Sequence, residues 1–195
     1  MPLTSNYYVT ARREQIVKIK YEIELEDFFV FSDYLIKTSS LMLKTIRKGQ
    51  MWWAGGPLAA GFMLSILRGY SPEKTLTTLA VLSVSISLPL FLMYKHYFRY
   101  RNKKHIKTLY ENGNYRGILG IHEMTITDDY LAEKTKDNDN KIQWNAINRI
   151  ATIPDYTFVF TDDITAYIIP HKKITGGNTA QFISELNDVF NRDTG

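Results

Sequence analysis

Two stretches without a charge, "MWWAGGPLAAGFMLSIL" from Met51 to Leu67 and "TLTTLAVLSVSISLPLFLMY" from Thr75 to Tyr94, restrict what this chain can fold into more than any other feature of it. At about 1.5 Å of rise per residue the second is ~30 Å long as a helix, the thickness of a bilayer's hydrocarbon core, and the first reaches that length once Gly49 and Gln50 are added. The core helix of a soluble domain keeps a polar face, and neither stretch has one, so the expectation over residues 49–94 is a two-helix transmembrane hairpin. A helical hairpin buried in a soluble domain is the competing reading of the same residues.

The flanks favour the membrane independently of length. Trp52 and Trp53 stand at one mouth of the first stretch, Tyr94, Tyr97, Phe98 and Tyr100 at the matching end of the second, and Tyr70 in the connection, as in an interfacial aromatic belt. Lys44, Arg47 and Lys48 precede the first stretch, and six basic residues without an acid run from Lys95 to Lys107 after the second, Arg99 and Arg101 among them, against Arg68 and Lys74 between the two. Nine against two predicts both termini in the cytoplasm. Trp52, Trp53, Tyr70, Tyr94, Lys95, Arg99 and Arg101 are therefore the expected membrane-interface residues. Here composition misleads if averaged. The mean hydropathy of -0.22 and the pI near 9.1 suggest a soluble basic protein, yet the basic excess is this collar, and residues 108–195 carry eight basic against thirteen acidic residues. Such a collar suits lipid phosphates, the bilayer being the expected partner, and argues against nucleic acid.

Within the hairpin, Gly55 with Ala59, Gly56 with Ala60, and Ser83 with Ser87 place small residues four apart, allowing close backbone approach or an oligomer. Pro57 is expected in the opening turns of its helix, while Pro89 should kink the second near Ser85 and orphan that carbonyl. No Asp, Glu, Lys, Arg or His lies at depth, so a proton relay or ion path is not expected from one hairpin. Cysteine is absent, which removes disulfides, thiolate metal sites and cysteine nucleophiles. The first fifteen residues lack the pattern of a cleaved secretory leader, so the apolar segments are expected to be retained.

Residues 1–48 supply a strand, with Val17, Ile19, Tyr21, Ile23 and Leu25 apolar in alternation, followed by helical spacing through Phe28, Phe31, Leu35, Ile36 and on to Ile46, either along the bilayer surface or against a sheet. Residues 95–116 continue as a basic juxtamembrane helix that stops at Asn112-Gly113-Asn114. Within 117–195, "GIHEMTIT", "YLAEKT", "KIQW", "RIATI", "YTFVFT" and "TAYIIP" have strand character with turns between them, and "GGNTAQFISELNDVF" closes the chain as a helix capped by Asn178 or Thr179. The expected fold is thus a membrane α-helical hairpin plus an α+β cytoplasmic domain, an antiparallel sheet or small barrel closed by a C-terminal helix in the pleckstrin-homology-like manner.

Chemistry is sparse. His96, His105, His122 and His171 form no metal motif, and His122-Glu123 on a strand point to opposite faces, so surface or interface histidines are expected. Asp128-Asp129 and Asp162-Asp163 fit turn hydrogen bonds better than a cation site. "TGGNT" at Thr175 to Thr179 lacks the Lys-Ser/Thr of a P-loop, and no catalytic triad is recognisable. No cofactor and no metal are expected. Trp144, Tyr156, Phe158, Phe160 and Tyr167 could line a partner groove, but a small domain needs such residues for its core.

At these residues the chain resembles the YcxB-like family of bacterial membrane proteins. The likeness lies in "IKYEIELEDFFVF", the two apolar helices, Trp144 opening a W-x-x-I-x-x-I run with Ile147 and Ile150, and the strand end Tyr167-Ile168-Ile169-Pro170 before the last helix. His171 stands where a basic residue is usual, and Asp128-Asp129 where a glycine-containing turn is. The resemblance implies a membrane hairpin with a cytoplasmic domain and no established activity; Trp144, Tyr167 and Pro170 are expected as partner-binding or core positions, and the bacterial inner membrane as the location. The expected function is a non-enzymatic scaffold or sensor with an unknown protein partner. A membrane-anchored hydrolase using His122 or His171 with a carboxylate is the alternative, as is an oligomeric channel or transporter subunit.

Overall fold

Alternation over Val17–Ile23 dictates the first element. In the computed structural model, which describes residues 16–113 and 118–194, strand β1 (Val17–Ile23) buries Val17, Ile19, Tyr21 and Ile23 and exposes the residues between them. The expectations about a leader in the first fifteen residues and about a boundary at 116/117 lie outside the described residues.

The described residues divide into an α+β unit, made of 16–23 with 120–161 and 169–194, and a helical unit, 24–113 and 118–119 with 162–168. In the α+β unit, β2 (Gly120–Ile126), β3 (Tyr130–Lys134) and β4 (Asp139–Gln143) follow as an antiparallel meander, and β1 adds to it along its whole length, from Val17 opposite Ile126 to Ile23 opposite Gly120. With the short β8 (Ile174–Gly176) the sheet runs β4-β3-β2-β1-β8, so the strand earliest in sequence lies inside it. A second sheet, β5-β6-β7, is built from Arg149–Ile153, Tyr156–Phe160 and Ala166–Pro170. All six segments with strand character form strands. They make two sheets and not one closed barrel.

The last helix, numbered α5 (Thr179–Thr194) after four helices of the helical unit, starts where Asn178 Oδ1 accepts the Gln181 N–H at 3.0 Å, a side-chain cap on one of the orphan donors of the first turn. Phe182, Leu186 and Val189, spaced three and four apart, put one buried face against β1, β2 and the turn at Trp144. Gly177 before it has φ +89°, and a Cβ there would stand 2.2 Å from the Lys18 carbonyl oxygen, so only glycine lets the chain pass β1 so closely.

In the helical unit, α1 (Leu25–Thr38) opens with a capping box between Glu24 and Asp27, and α2 (Ser40–Leu67) begins afresh at Ser39, whose hydroxyl caps it. The single amphipathic helix expected up to Ile46 is therefore two helices, broken where Ser39 turns extended. Pro57 accordingly lies deep inside α2, not in its opening turns, because α2 begins eleven residues before Met51. Arg68 to Ser71 turn the chain into α3 (Pro72–Leu82), a π-helical turn at Ser83–Ser87, and α4 (Leu88–Glu111). The π turn lies directly before Pro89, whose ring removes the N–H that Ser85 would receive, and Leu88 donates to Ser83. Gly113, at φ 82°, follows the end of α4.

The helix α2 packs along α3, the π turn and α4. Glycines set the approach: a Cβ at Gly61 would fall 2.2 Å from Leu82 Cδ1, and one at Gly49 would fall 2.0 Å from the Tyr94 hydroxyl. Pro72–Glu111 is long and apolar enough to cross a membrane, and little of its apolar stretch is buried.

Candidate functional site

Two places gather polar or aromatic groups beyond what packing alone requires. In the α+β unit, His122 is in phase with Met124 and Ile126 on β2, and Glu133 with Leu131 on β3, so both polar side chains point into the apolar face. His122 Nδ1 and Glu133 Oε1 are 2.8 Å apart, with side-chain exposures of 3% and 10%, and the imidazole stacks on Tyr21 with ring centroids 5.6 Å apart. The surface placement expected for His122 is thus corrected: strand phase carries it inward, where it needs a partner, and Glu133 provides one. Glu123, on the opposite face, pairs instead with Lys18 at 2.5 Å.

His171 has a different setting. Its Nδ1 lies 3.2 Å from the Pro154 carbonyl and its Nε2 2.9 Å from Thr157 Oγ1. A carbonyl only accepts, so Nδ1 carries a proton, and the ring clamps the β5–β6 turn. Lys172 ties the same turn through Asp155 at 2.9 Å.

Trp144 is 2% exposed and donates its indole N–H to the Thr127 carbonyl at 3.1 Å. Pro170 is buried and Tyr167 half-buried, and Phe158 and Phe160 are fully buried. Trp144, Phe158 and Phe160 belong to the core of the α+β unit. Asp162 accepts the N–H groups of Ile164 and Thr165, each at 2.7 Å, which holds its carboxyl below the usual carboxylate range. Asp128 pairs with Arg192 at 3.3 Å. Among the described residues no three His, Cys, Asp or Glu side chains cluster as metal ligands.

In the helical unit, Trp53 packs on Tyr94 and Tyr97 at 5.4 and 4.8 Å between ring centroids, and Gln50 Nε2 donates to the Phe91 carbonyl at 3.0 Å. Trp52 is 71% exposed, on another face of α2. Asp33 of α1 lies 3.9 Å from Arg99 and 3.7 Å from Lys103, and Asn102 donates to Ser32, so the basic end of α4 is tied to α1. Lys95 and Arg101 are exposed, and Tyr70 accepts from Arg68 at 3.3 Å beside the turn into α3.

The class of protein so defined is an α+β domain whose first and second strands are separated in sequence by a helical segment carrying a helix of membrane length. Residues 126–186 match the family model described as YcxB-like protein, so β3 to β8 and the first half of α5 form a YcxB-like segment. No curated protein and no solved structure matches the chain.

The partner of His122 was not singled out in the sequence. The signal was present nonetheless: His122 and Glu133 each occupy the apolar phase of their strands.

Proposed function

We propose that the chain is an integral membrane protein without enzymatic activity, a scaffold or sensor that presents a pleckstrin-homology-like α+β domain at the cytoplasmic face of a bacterial inner membrane on two spanning helices. The register of β1 on β2 carries this reading. The two strands pair over seven residues, yet the whole segment from α1 to α4 lies between them in sequence. Whatever bilayer that segment enters, it must cross an even number of times. If the helix from Pro72 to Glu111 crosses, α2 is the return crossing, and its 28 residues, about 42 Å at 1.5 Å each, are long enough.

Exposed Phe62, Met63, Leu64, Ile66 and Leu67 on α2, with Leu76, Val81, Val84 and Leu92 beyond the turn, support lipid as their surroundings. The basic excess at the far end of both helices supports a cytoplasmic α+β unit. The sheet-then-helix order supports the pleckstrin-homology-like reading, as an open arrangement of two sheets. A hydrolase is not favoured, since the one histidine–carboxylate pair described is sealed among apolar side chains.

The natural absence of cysteine makes the test direct. Single cysteines at Ser71 and at Lys136 in intact cells should label differently with a membrane-impermeant maleimide: Ser71→Cys at once, Lys136→Cys only after permeabilisation. Equal labelling of both, or the reverse pattern, would defeat the proposal.

A further inference from the structure

We infer that the outer face of α2 is a binding groove for an anionic phospholipid, one acyl chain lying along Met51, Trp52, Gly55, Gly56 and Ala59 with the phosphate on Lys48. This rests on α2 spanning the membrane as proposed above. A groove bounded by these six residues opens on α2. Its glycines differ from the others of the same helix: Gly49 and Gly61 are pressed against Tyr94 and Leu82, whereas a Cβ added at Gly55 or Gly56 would meet nothing within 4 Å. The space they leave is unused by the chain's own packing.

Charge and length select the occupant. Lys48 forms the polar end of the groove, has no ion pair among the described residues, and is followed one turn below by the exposed indole of Trp52, which suits the glycerol level of a leaflet. From Lys48 to Ala59 the helix rises about 16 Å, which is roughly half the hydrocarbon thickness and hence the depth of one leaflet. A second copy fits less well. A two-fold axis along the membrane normal would set Lys48 against its counterpart at the same depth, with Lys44 doing the same one turn above, and like charges across an interface are unfavourable. A phospholipid brings the opposite charge to that point, and its flexible chain follows a shallow groove.

The test uses the full chain with Trp53→Phe and Trp144→Phe, leaving Trp52 as reporter, in phosphatidylcholine vesicles containing a minority of phosphatidylglycerol. Bromine is placed on the acyl chains of one lipid or the other. Brominated phosphatidylglycerol should quench Trp52 as though enriched about fivefold over its share of the bilayer, the effect of one basic residue on an anionic lipid. Lys48→Gln should lower that enrichment to the level the remaining basic residues sustain, and so should Gly55→Leu with Gly56→Leu, although that variant keeps Lys48. Quenching in proportion to bulk composition for both lipids overturns the site, as does loss of quenching when protein is concentrated in the bilayer, which would mean that a second copy covers Trp52. No quenching by either lipid would instead place Trp52 outside any bilayer and defeat the two-span reading as well. Should Trp53→Phe disturb its packing on Tyr94, native mass spectrometry of the unaltered chain gives the same comparison: retained phosphatidylglycerol adducts support the site, and equal retention of phosphatidylcholine overturns it.

Discussion

Removing either member of the His122–Glu133 pair should open the α+β unit far more than removing both. The 2.8 Å contact between a histidine and a carboxylate is worth about 1.5–3 kcal/mol as a hydrogen bond to a charged group. Deleting one partner adds the penalty of the other left buried without it, about 1–3 kcal/mol, and with exposures of 3% and 10% neither side chain reaches water easily. Glu133→Leu, or His122→Phe, which keeps a ring against Tyr21, should therefore each cost about 3–5 kcal/mol. The double variant should cost at most about 1.5 kcal/mol, because two apolar side chains then pack in one apolar layer. Amide hydrogen exchange of the β1–β3 ladder measures this locally. A loss of about 3 kcal/mol accelerates exchange through global opening roughly 150-fold, and the double variant should recover most of that protection. Single variants that accelerate exchange less than about fivefold, or a double variant as damaged as the sum of the singles, would refute the argument; distant independent sites add to within about 0.5 kcal/mol.

Gly177→Ala should destabilise the α+β unit by about 2–4 kcal/mol, since it puts a side chain on left-handed backbone and drives its Cβ into the Lys18 carbonyl; thermal unfolding in detergent, followed by the near-ultraviolet signal of Trp144, measures it. The Asp162 turn should depend on pH in one direction. Its carboxyl titrates below the ordinary range because the Ile164 backbone N–H, then the Thr165 groups, hydrogen-bond the charged form. The turn's stabilisation is thus complete above the ordinary carboxylate pKa and lost as pH falls through the lowered value; amide shifts of Ile164 and Thr165 should follow that titration and become insensitive to it in Asp162→Asn.

The period-two and period-3.6 patterns made most of the fold legible. Val17 to Ile23 and the segments from Gly120 to Gln143 announce their strands by alternation across a half-buried face, Tyr156–Phe160 and Ala166–Pro170 by short apolar runs bounded by turns, and Phe182, Leu186 and Val189 announce the last helix by spacing. What could not be read from pattern is who pairs with whom. Nothing local in "VKIKYEI" says that its neighbours are Gly120–Ile126 on one side and three residues near Ile174 on the other, and that pairing decides that the sheet stays open. The break at Ser39 was hidden because apolar spacing continues through it, and with it went the placement of Pro57. The burial of His122 was hidden by residue type: histidine is commonly solvated, and only the phase shared with Met124 and the cross-strand neighbourhood of Glu133 reveal the pair.

The position of β1 inside its sheet has a consequence for biosynthesis. A ribosome delivers this strand before α1 to α4, and only afterwards the strand that covers one of its edges; the other edge waits until residue 176 has emerged. A sticky peptide ribbon must therefore wait for both of its neighbours throughout the interval in which the helical segment is synthesised. Nascent chains stalled before residue 120 should hold that ribbon available to chaperones, with Lys18, Lys20 and Glu22 as its charged face.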